Sequence, residues 1–170
     1  LVAFLGVAFM LTQAVASSGQ RHADPSLEAL LPSTLGGASL VRESQNGTDL
    51  TRQSQPFDAF LAKLGKVRGD FTVASAYATS GLAAEIGAWR VSGLSGEQLL
   101  PGFKAALQAS STVPLAESRE NIDGRSVLRL GEPGQMARGP LYVLPYRDCL
   151  LFVQTNDEGL AGEAVGKFPQ

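Results

Sequence analysis

The single histidine of the chain, His22, is the first residue to consider for catalysis. A site built from a nucleophile, a histidine and an acid needs an imidazole that the fold holds beside the nucleophile. His22 lies in a small, polar segment, residues 17–26, which is typical of a flexible leader. We therefore expect His22 to be solvated and not catalytic. The nucleophile-elbow pattern G-x-S-x-G is absent, and Ser95, which comes nearest to it, is better explained as a helix cap.

The single cysteine, Cys149, begins an apolar run that extends to residue 153. Such a cysteine is most often a small buried side chain, whereas a reactive thiol needs a neighbouring cation or a helix N-terminus. Arg147 is close in sequence only. One cysteine excludes an intrachain disulfide and a cysteine-based zinc site, and one histidine excludes a multi-histidine metal site. We predict no metal, no cofactor and no catalytic residue.

Acidic residues are scattered along the chain rather than grouped in a motif. Hydrolysis of a glycosidic bond needs two carboxyl groups that face each other across a cleft, and sequence spacing does not reveal such a pair. Asp157 and Glu158 are explained by the N-terminus of a helix, where negative charge is favourable. The candidates are Glu85, Glu97, Glu117, Glu120, Asp123, Glu132, Asp148, Asp157, Glu158 and Glu163. Hydrolysis by a pair of carboxyl groups therefore remains an alternative function.

Aromatic residues next to arginine give a hint of a recognition surface. Trp89 and Arg90 are neighbours in a predicted strand, so their side chains point to opposite faces. Tyr142 and Tyr146 flank a predicted hairpin that contains Arg147. Exposed aromatic and arginine side chains are typical of binding surfaces. The alternative is that Trp89 and Tyr142 are core residues.

The composition describes one globular domain. The chain has 170 residues, a net charge of −2, 18% charged residues and 44% hydrophobic residues. A chain of this length buries enough surface to fold without stabilising disulfides or metal ions, and its apolar content argues against disorder. Balanced charge without a basic stripe argues against a nucleic-acid partner.

The N-terminus predicts export from the cytoplasm. Residues 1–11 are apolar, the first charge is Arg21, and Ala14 and Ala16 form a small-x-small cleavage pattern. Because the chain begins with Leu, we expect the basic part of the signal to lie upstream. We expect cleavage after Ala16 and an extracellular or periplasmic location; a retained membrane anchor is the alternative. Asn46 begins a glycosylation sequon, with an Asn-Gly turn as the alternative.

The predicted organisation is a signal peptide at 1–16, a flexible leader at 17–31 and a single α+β domain at 32–170. Apolar spacing predicts helices over 57–64, 95–108 and 157–168, with capping boxes that begin at Ser95 and at Thr155. Asp123 and Gly124 predict a two-residue hairpin turn. Strands are predicted at 38–44, 71–78, 84–92, 115–122, 125–130, 141–144 and 149–154.

A weak internal repeat suggests how these elements are arranged. Residues 35–42 and 122–129 match at Gly37 and Gly124, Ser39 and Ser126, and Arg42 and Arg129. A hairpin and a capped helix follow each stretch. The fold class predicted is α+β: an antiparallel sheet with amphipathic helices packed on one face, and a pseudo-twofold duplication of a strand–hairpin–helix unit. Turn chemistry alone is the alternative explanation of the matches.

Three functions fit these observations. The first is a secreted or cell-envelope module without enzymatic activity that binds a small apolar or mixed ligand or a protein partner. The second is an extracellular hydrolase whose two carboxyl groups converge in a pocket. The third is a structural domain tethered to the membrane by an uncut N-terminal segment; membrane contact is expected only in that case.

Overall fold

The computed structural model describes residues 22–50, 55–79, 81–109, 111, 113–131 and 138–170. The predicted signal peptide lies outside these residues. The helices are α1 (Pro25–Glu28), α2 (Gln55–Lys63), α3 (Gly96–Ala109) and α4 (Glu158–Lys167), with a 3₁₀-helix at Arg68–Asp70. The strands are β1 (Thr34–Leu35), β2 (Ala38–Asn46), β3 (Phe71–Ala78), β4 (Ala84–Val91), β5 (Glu117–Ile122), β6 (Arg125–Leu130), β7 (Leu141–Tyr146) and β8 (Cys149–Thr155). No helix within the described ranges is long and apolar enough to cross a membrane.

The strands form one open antiparallel sheet in the order β1-β2-β3-β4-β8-β7-β6-β5. This confirms the predicted α+β class. The last strand in sequence, β8, lies between β4 and β7, and all seven of its residues are buried. The apolar run at 149–153 predicts this central position, because a strand that is covered on both faces is apolar at consecutive positions.

The helices cover both faces of the sheet, so the expectation that they gather on one face is not confirmed. α2 and α3 contribute to an apolar cluster with Trp89 and Phe152, whereas α1 and α4 contribute to a second cluster with Ile86 and Leu151. Consecutive residues of a strand point to opposite faces. Because the central strands carry large apolar residues on both faces, each face needs its own layer of helices.

The strand order is symmetric about the central pair β4 and β8, since β2-β3-β4 meets β8-β7-β6. A twofold axis perpendicular to the sheet would exchange the antiparallel strands β4 and β8. It would also leave the helices that follow them, α3 and α4, on the same face. These helices lie on opposite faces, so the predicted duplication is not confirmed.

Local sequence signals set the start of α3 and the β5–β6 turn. The Gln98 amide donates to the Ser95 hydroxyl at 3.3 Å, and the Ser95 amide donates to Gln98 Oε1 at 2.9 Å, which confirms the predicted capping box. Asp123 and Gly124 have φ angles of +53° and +77°. Positive φ at both central residues defines a tight two-residue hairpin turn, as predicted.

Part of the segment predicted as a flexible leader packs against the sheet. Leu27 and Leu31 are 0% and 2% exposed and belong to the same cluster as α4. Asp24 caps α1 by accepting from the Leu27 amide at 2.9 Å, and it forms an ion pair with Arg90 of β4. These are contacts with distant parts of the chain, so the small, polar composition of the segment did not reveal them.

Candidate functional site

On the face that α2 and α3 cover, the sheet is apolar beneath the helices and polar beyond them. Glu43 of β2 pairs with Ser75 of β3, and Glu85 of β4 pairs with Gln154 of β8. Directly paired residues in antiparallel strands project to the same face, as do residues two apart on one strand. Tyr77, two residues beyond Ser75, therefore joins the same polar area. The four strands thus place polar side chains where no helix of the described chain covers them.

These side chains line a cavity of about 220 Å³, here termed the Glu43 pocket. Its polar lining comprises Glu43, Ser75, Tyr77, Glu85 and Arg138. Leu82 adds apolar lining, whereas Ala76, Ala78, Ala84 and Ile86 border the cavity from strand positions whose side chains point to the opposite face, where they pack in or against the cluster with α4. The pocket lies beside the β3–β4 connection, and apart from Leu82 and the ring carbons of Tyr77 its side chains are polar or charged.

An adjoining groove of about 830 Å³ shares Glu85 and Arg138 with the Glu43 pocket and extends to the start of α4. Asp157 caps α4: its carboxylate accepts from the amides of Gly159 at 2.8 Å and Leu160 at 3.1 Å. The amides that would attract an anion to this helix N-terminus are therefore already bonded within the protein. The groove is not an anion site of the helix-terminus kind.

Thr155 does not form the capping box predicted for α4. Its hydroxyl accepts from the Asp157 amide at 3.0 Å and donates to the Ala83 carbonyl at 2.8 Å. The sequence prediction failed because Thr155 is the last residue of β8, two positions before Asp157, which occupies the N-cap. Through Ala83, Thr155 fixes the loop that borders the groove.

Backbone contacts beside Arg138 hold it at the mouth of the Glu43 pocket. The Gln154 side chain donates from Nε2 to the Gly139 carbonyl at 3.0 Å. Gly139 has a φ of +88°, and a Cβ atom there would collide with the Thr155 carbonyl, so this position requires glycine. Arg138 forms an ion pair with Glu85, whose side chain is 12% exposed. The guanidinium thereby neutralises one of the two carboxylates that line the pocket.

Glu43 is the other carboxylate, and it is 6% exposed. It forms no hydrogen bond or ion pair with any residue that the structure describes. Among the described residues, the fully buried carboxylate oxygens without a hydrogen-bond partner are those of Glu85, so the Glu43 oxygens keep some contact with solvent in the pocket. A carboxylate that is largely withdrawn from water without a partner is still unfavourable. No sequence pattern singled out Glu43, because an acidic residue in a strand normally faces solvent and its neighbours Arg42 and Ser44 are also polar.

Most of the other candidate carboxylates are already paired. Glu85, Asp157 and Glu158 line the same groove, and Glu85 also lines the Glu43 pocket. The pairs formed elsewhere are Glu117 with Lys104, Glu120 with Arg129, Asp148 with Arg90, and Glu163 with Lys167. Glu132 lies outside the described residues. In the described part of the chain, no group of three His, Cys, Asp or Glu side chains could hold a metal ion.

His22 lies beside an acid and a serine, but in an order that does not support catalysis. Its Nδ1 lies 3.0 Å from Glu28 Oε2, and the Ser44 hydroxyl donates to Glu28 Oε1 at 2.5 Å. A catalytic histidine must lie between the nucleophile and the acid, whereas here the acid lies between the other two. The imidazole remains 64% exposed, although it is not free as the sequence suggested. The arrangement anchors the N-terminal segment.

The aromatic candidates divide between core and surface. Trp89 is 2% exposed and makes edge contacts with the rings of Phe57, Phe71 and Phe103. Tyr142 is likewise buried. These two residues therefore offer no recognition surface. At the tip of the β7–β8 hairpin, the Arg147 guanidinium lies 5.0 Å from the centre of the half-buried Tyr146 ring.

Cys149 is buried, as its apolar neighbours suggested. Its Sγ lies 3.2 Å from the Tyr146 carbonyl. Burial, reinforced by the nearby Asp148 carboxylate, raises the pKa of the thiol to about 12. A thiol with this pKa is almost wholly protonated at neutral pH and is a poor nucleophile.

The sequon at Asn46 forms a turn. Asn46 Oδ1 accepts from the Thr48 amide at 3.0 Å and from the Thr48 hydroxyl at 2.8 Å. Gly47 packs closely against the Arg68 carbonyl, where a Cβ atom would clash. The turn explains these residues, and glycosylation stays a prediction.

A further groove lies between α3 and β5. Leu100, Pro101 and Leu115 contribute its apolar surface, and the ion pair between Lys104 and Glu117, 2.6 Å long, crosses it. Its central charges therefore neutralise each other, unlike Glu43 in the pocket on the same face of the sheet. The Glu43 pocket is the stronger candidate site.

Comparison of the chain with protein-family models, with curated proteins and with solved structures finds no match. The geometry of the Glu43 pocket and of the adjoining groove is therefore the basis for a functional interpretation.

Proposed function

We propose that the protein is a non-enzymatic module that binds a small ligand of mixed polarity. The observation that supports this most strongly is the Glu43 pocket, which places Leu82 and the ring of Tyr77 beside a glutamate that is 6% exposed and has no partner among the described residues. Small-molecule sites typically combine apolar lining with a few polar groups that orient the ligand. A bound ligand would supply the partner that Glu43 lacks.

The size of the cavity limits the ligand. The pocket alone, at about 220 Å³, is smaller than the ~300–1,000 Å³ of typical ligand sites. It is continuous with the adjoining groove through Leu82, Ala84, Glu85 and Arg138, which line both. A ligand whose polar end occupies the pocket and whose remainder extends along the groove fits these dimensions.

We further propose that the module acts outside the cytoplasm. This rests on the sequence alone, on the apolar residues 1–11 and the cleavage pattern at Ala14 and Ala16. Expression with a full signal sequence in an exporting host, followed by intact mass measurement, tests it. A mature chain that begins at Ser17 supports export. A chain that retains Leu1 would instead support the membrane-tethered structural domain.

Native mass spectrometry of gently purified protein tests the binding function. We expect a species heavier than the chain that loses a discrete mass on denaturation. Ser75→Leu places a larger side chain in the pocket beside Glu43 and should abolish the extra mass. Ala105→Leu introduces the same side chain at the groove between α3 and β5 and should retain it. A bare chain mass, with and without incubation in a small-molecule extract of the native host, would contradict the proposal.

A carboxylate hydrolase is the second candidate, because Glu43 and Glu85 line the same pocket. The register places these residues two strands and about two residues apart, so their Cα atoms are roughly 12 Å apart. Two glutamate side chains can span part of that distance and approach the ~6.5–9.5 Å separation of inverting glycosidases. Screening chromogenic glycosides with wild type, Glu43→Gln and Glu85→Gln tests it. Activity that both substitutions abolish would favour the hydrolase over the binding module.

A further inference from the structure

We infer that the Glu43 pocket takes the ammonium end of a small organic cation with a short apolar stem. The inference rests on the proposed binding function and adds the chemical class of the ligand. It follows from three properties of the described residues: the unpaired carboxylate, the balance of charge around it, and the apolar surface of Leu82 and of the Tyr77 ring beside it.

The unpaired carboxylate defines the complementary group. Glu43 is only 6% exposed, and no described residue donates a hydrogen bond to it. Removal of an ionised carboxylate from water is strongly unfavourable unless a cation or several donors replace the water. A ligand ammonium offers both a positive charge and up to three N–H donors.

The cation that the described lining supplies is already engaged. Among the described residues that line the pocket or the groove, Arg138 is the single basic side chain, and it pairs with Glu85. The acidic side chains of the same lining are Glu43, Glu85, Asp157 and Glu158. The field at the pocket is therefore negative, which attracts cations and repels anions.

The shape favours an organic cation over a metal ion. A volume of about 220 Å³ is several times the ~30 Å³ that one water molecule occupies in the liquid. Leu82 and the ring carbons of Tyr77 supply apolar surface that would contact a hydrocarbon stem but could not ligate a metal. No group of three acidic, histidine or cysteine side chains is found near Glu43 within the described ranges.

Three probes of matched shape and different charge test the inference: n-butylammonium, n-butanol and butyrate. Each is titrated into the full chain, and binding is followed through the backbone amide NMR signals of Ser75, Tyr77 and Glu85. We expect n-butylammonium to bind at least about tenfold more tightly than n-butanol, as a charge-assisted hydrogen bond allows, and butyrate not to bind.

Two variants assign the charge preference to Glu43. Glu43→Gln keeps the shape and should lower n-butylammonium affinity about tenfold while n-butanol affinity stays within about twofold. Glu117→Gln removes an equal charge from the separate groove between α3 and β5 and should change n-butylammonium affinity less than about threefold. If Glu43→Gln does not fold, the contrast between amine and alcohol in the wild-type chain still decides the question.

The outcomes separate the inference from the proposed function. Equal binding of n-butanol and n-butylammonium, or unchanged amine affinity in Glu43→Gln, would contradict the inferred preference for a cation. Either result would leave the proposed binding function intact. If none of the three probes shifts the amide NMR signals, the inferred preference for a cation would also be contradicted. The ligand mass in the native spectrum then decides the binding function independently.

Discussion

Asp24, at the N-cap of α1, and Arg90, on β4, form an ion pair in which Nη1 and Oδ2 are 2.6 Å apart. Both side chains are less than one-fifth exposed. Asp24 also accepts hydrogen bonds from the Ser26 hydroxyl and the Leu27 amide. One carboxylate thereby joins the N-terminal segment to a central strand of the sheet.

We predict that Asp24→Asn destabilises the protein at neutral pH and less so in acid. Burial works to raise the pKa of Asp24, but hydrogen bonds from Ser26 and Leu27 and the charge of Arg90 lower it overall. A carboxyl whose pKa is lowered by folding stabilises the protein above its unfolded pKa of ~3.9, and this stabilisation is lost as the pH falls further. Urea unfolding should show a loss of about 1–2 kcal/mol at pH 7 and a smaller loss at pH 3.

Asp148→Asn is the matched control, since Asp148 also pairs with Arg90 but its side chain is 57% exposed. Exposed ion pairs contribute little, so a change of less than about 1 kcal/mol is expected. An equal loss for Asp24→Asn at pH 7 and pH 3 would show that ionisation of Asp24 does not contribute to stability.

We predict that removal of the N-terminal segment destabilises the domain. Leu27 and Leu31 are almost fully buried, and each leucine contributes roughly 2 kcal/mol through burial. A chain that begins at residue 32 should therefore be about 4 kcal/mol less stable than one that begins at residue 22. Chemical denaturation of the two chains measures the difference. Equal midpoints and slopes would mean that the domain begins at residue 32, as the sequence alone predicted.

Two helical glycines should respond oppositely to alanine. A Cβ atom on Gly96, the first residue of α3, would collide with backbone atoms of Cys149 and Tyr146, so Gly96→Ala should cost about 1–3 kcal/mol. Gly162 lies within α4 and has no atom within 4 Å of an added Cβ. Gly162→Ala should therefore stabilise by about 0.5–1 kcal/mol. Thermal unfolding of both variants beside wild type tests the contrast, and a shift in the same direction would contradict it.

We predict that Cys149 is inert in the native protein. Burial raises the pKa of its thiol to about 12, so the thiolate is scarce at pH 8. Labelling with a chromogenic disulfide reagent should be slow in buffer and complete within minutes in concentrated guanidinium chloride. Since folding raises this pKa, ionisation of the thiol favours the unfolded state as the pH rises above the unfolded value of ~8.5. Rapid labelling in buffer would show that the β7–β8 hairpin opens readily.

Sequence patterns predicted the features that depend on near neighbours. Asp123 and Gly124 identify their turn because few residues adopt two successive positive φ angles. The apolar run that begins at Cys149 identifies a central strand because only burial on both faces accommodates it. Asp157 shows the limit of such signals, since the expected cap at Thr155 lies two residues before the observed one and is still part of β8.

The candidate site was mostly beyond sequence reasoning. Glu43 is important because Ser75 and Tyr77 of the next strand and Arg138 of a distant loop enclose it. No local pattern distinguishes it from an exposed glutamate on an edge strand. Glu85 was among the candidate carboxylates, but its pairing with Arg138 depends on the β4–β8 register. The division of the helices between two faces was missed for the same reason. Amphipathic spacing shows that a helix has an apolar side, but the sheet face that it covers depends on how the chain reverses direction before and after it.

The central position of β8 has a consequence during synthesis of the chain. Its partner β4 is complete at Val91, but β8 begins only at Cys149, so the two are separated by about 60 residues of chain. At a synthesis rate of roughly 5–20 residues per second, several seconds pass between the completion of β4 and the synthesis of β8. During that interval it is an unpaired sheet edge next to Trp89 and other apolar residues, which is a template for aggregation. We expect slower translation between these strands to raise the insoluble fraction of newly made chains without changing the stability of the finished protein.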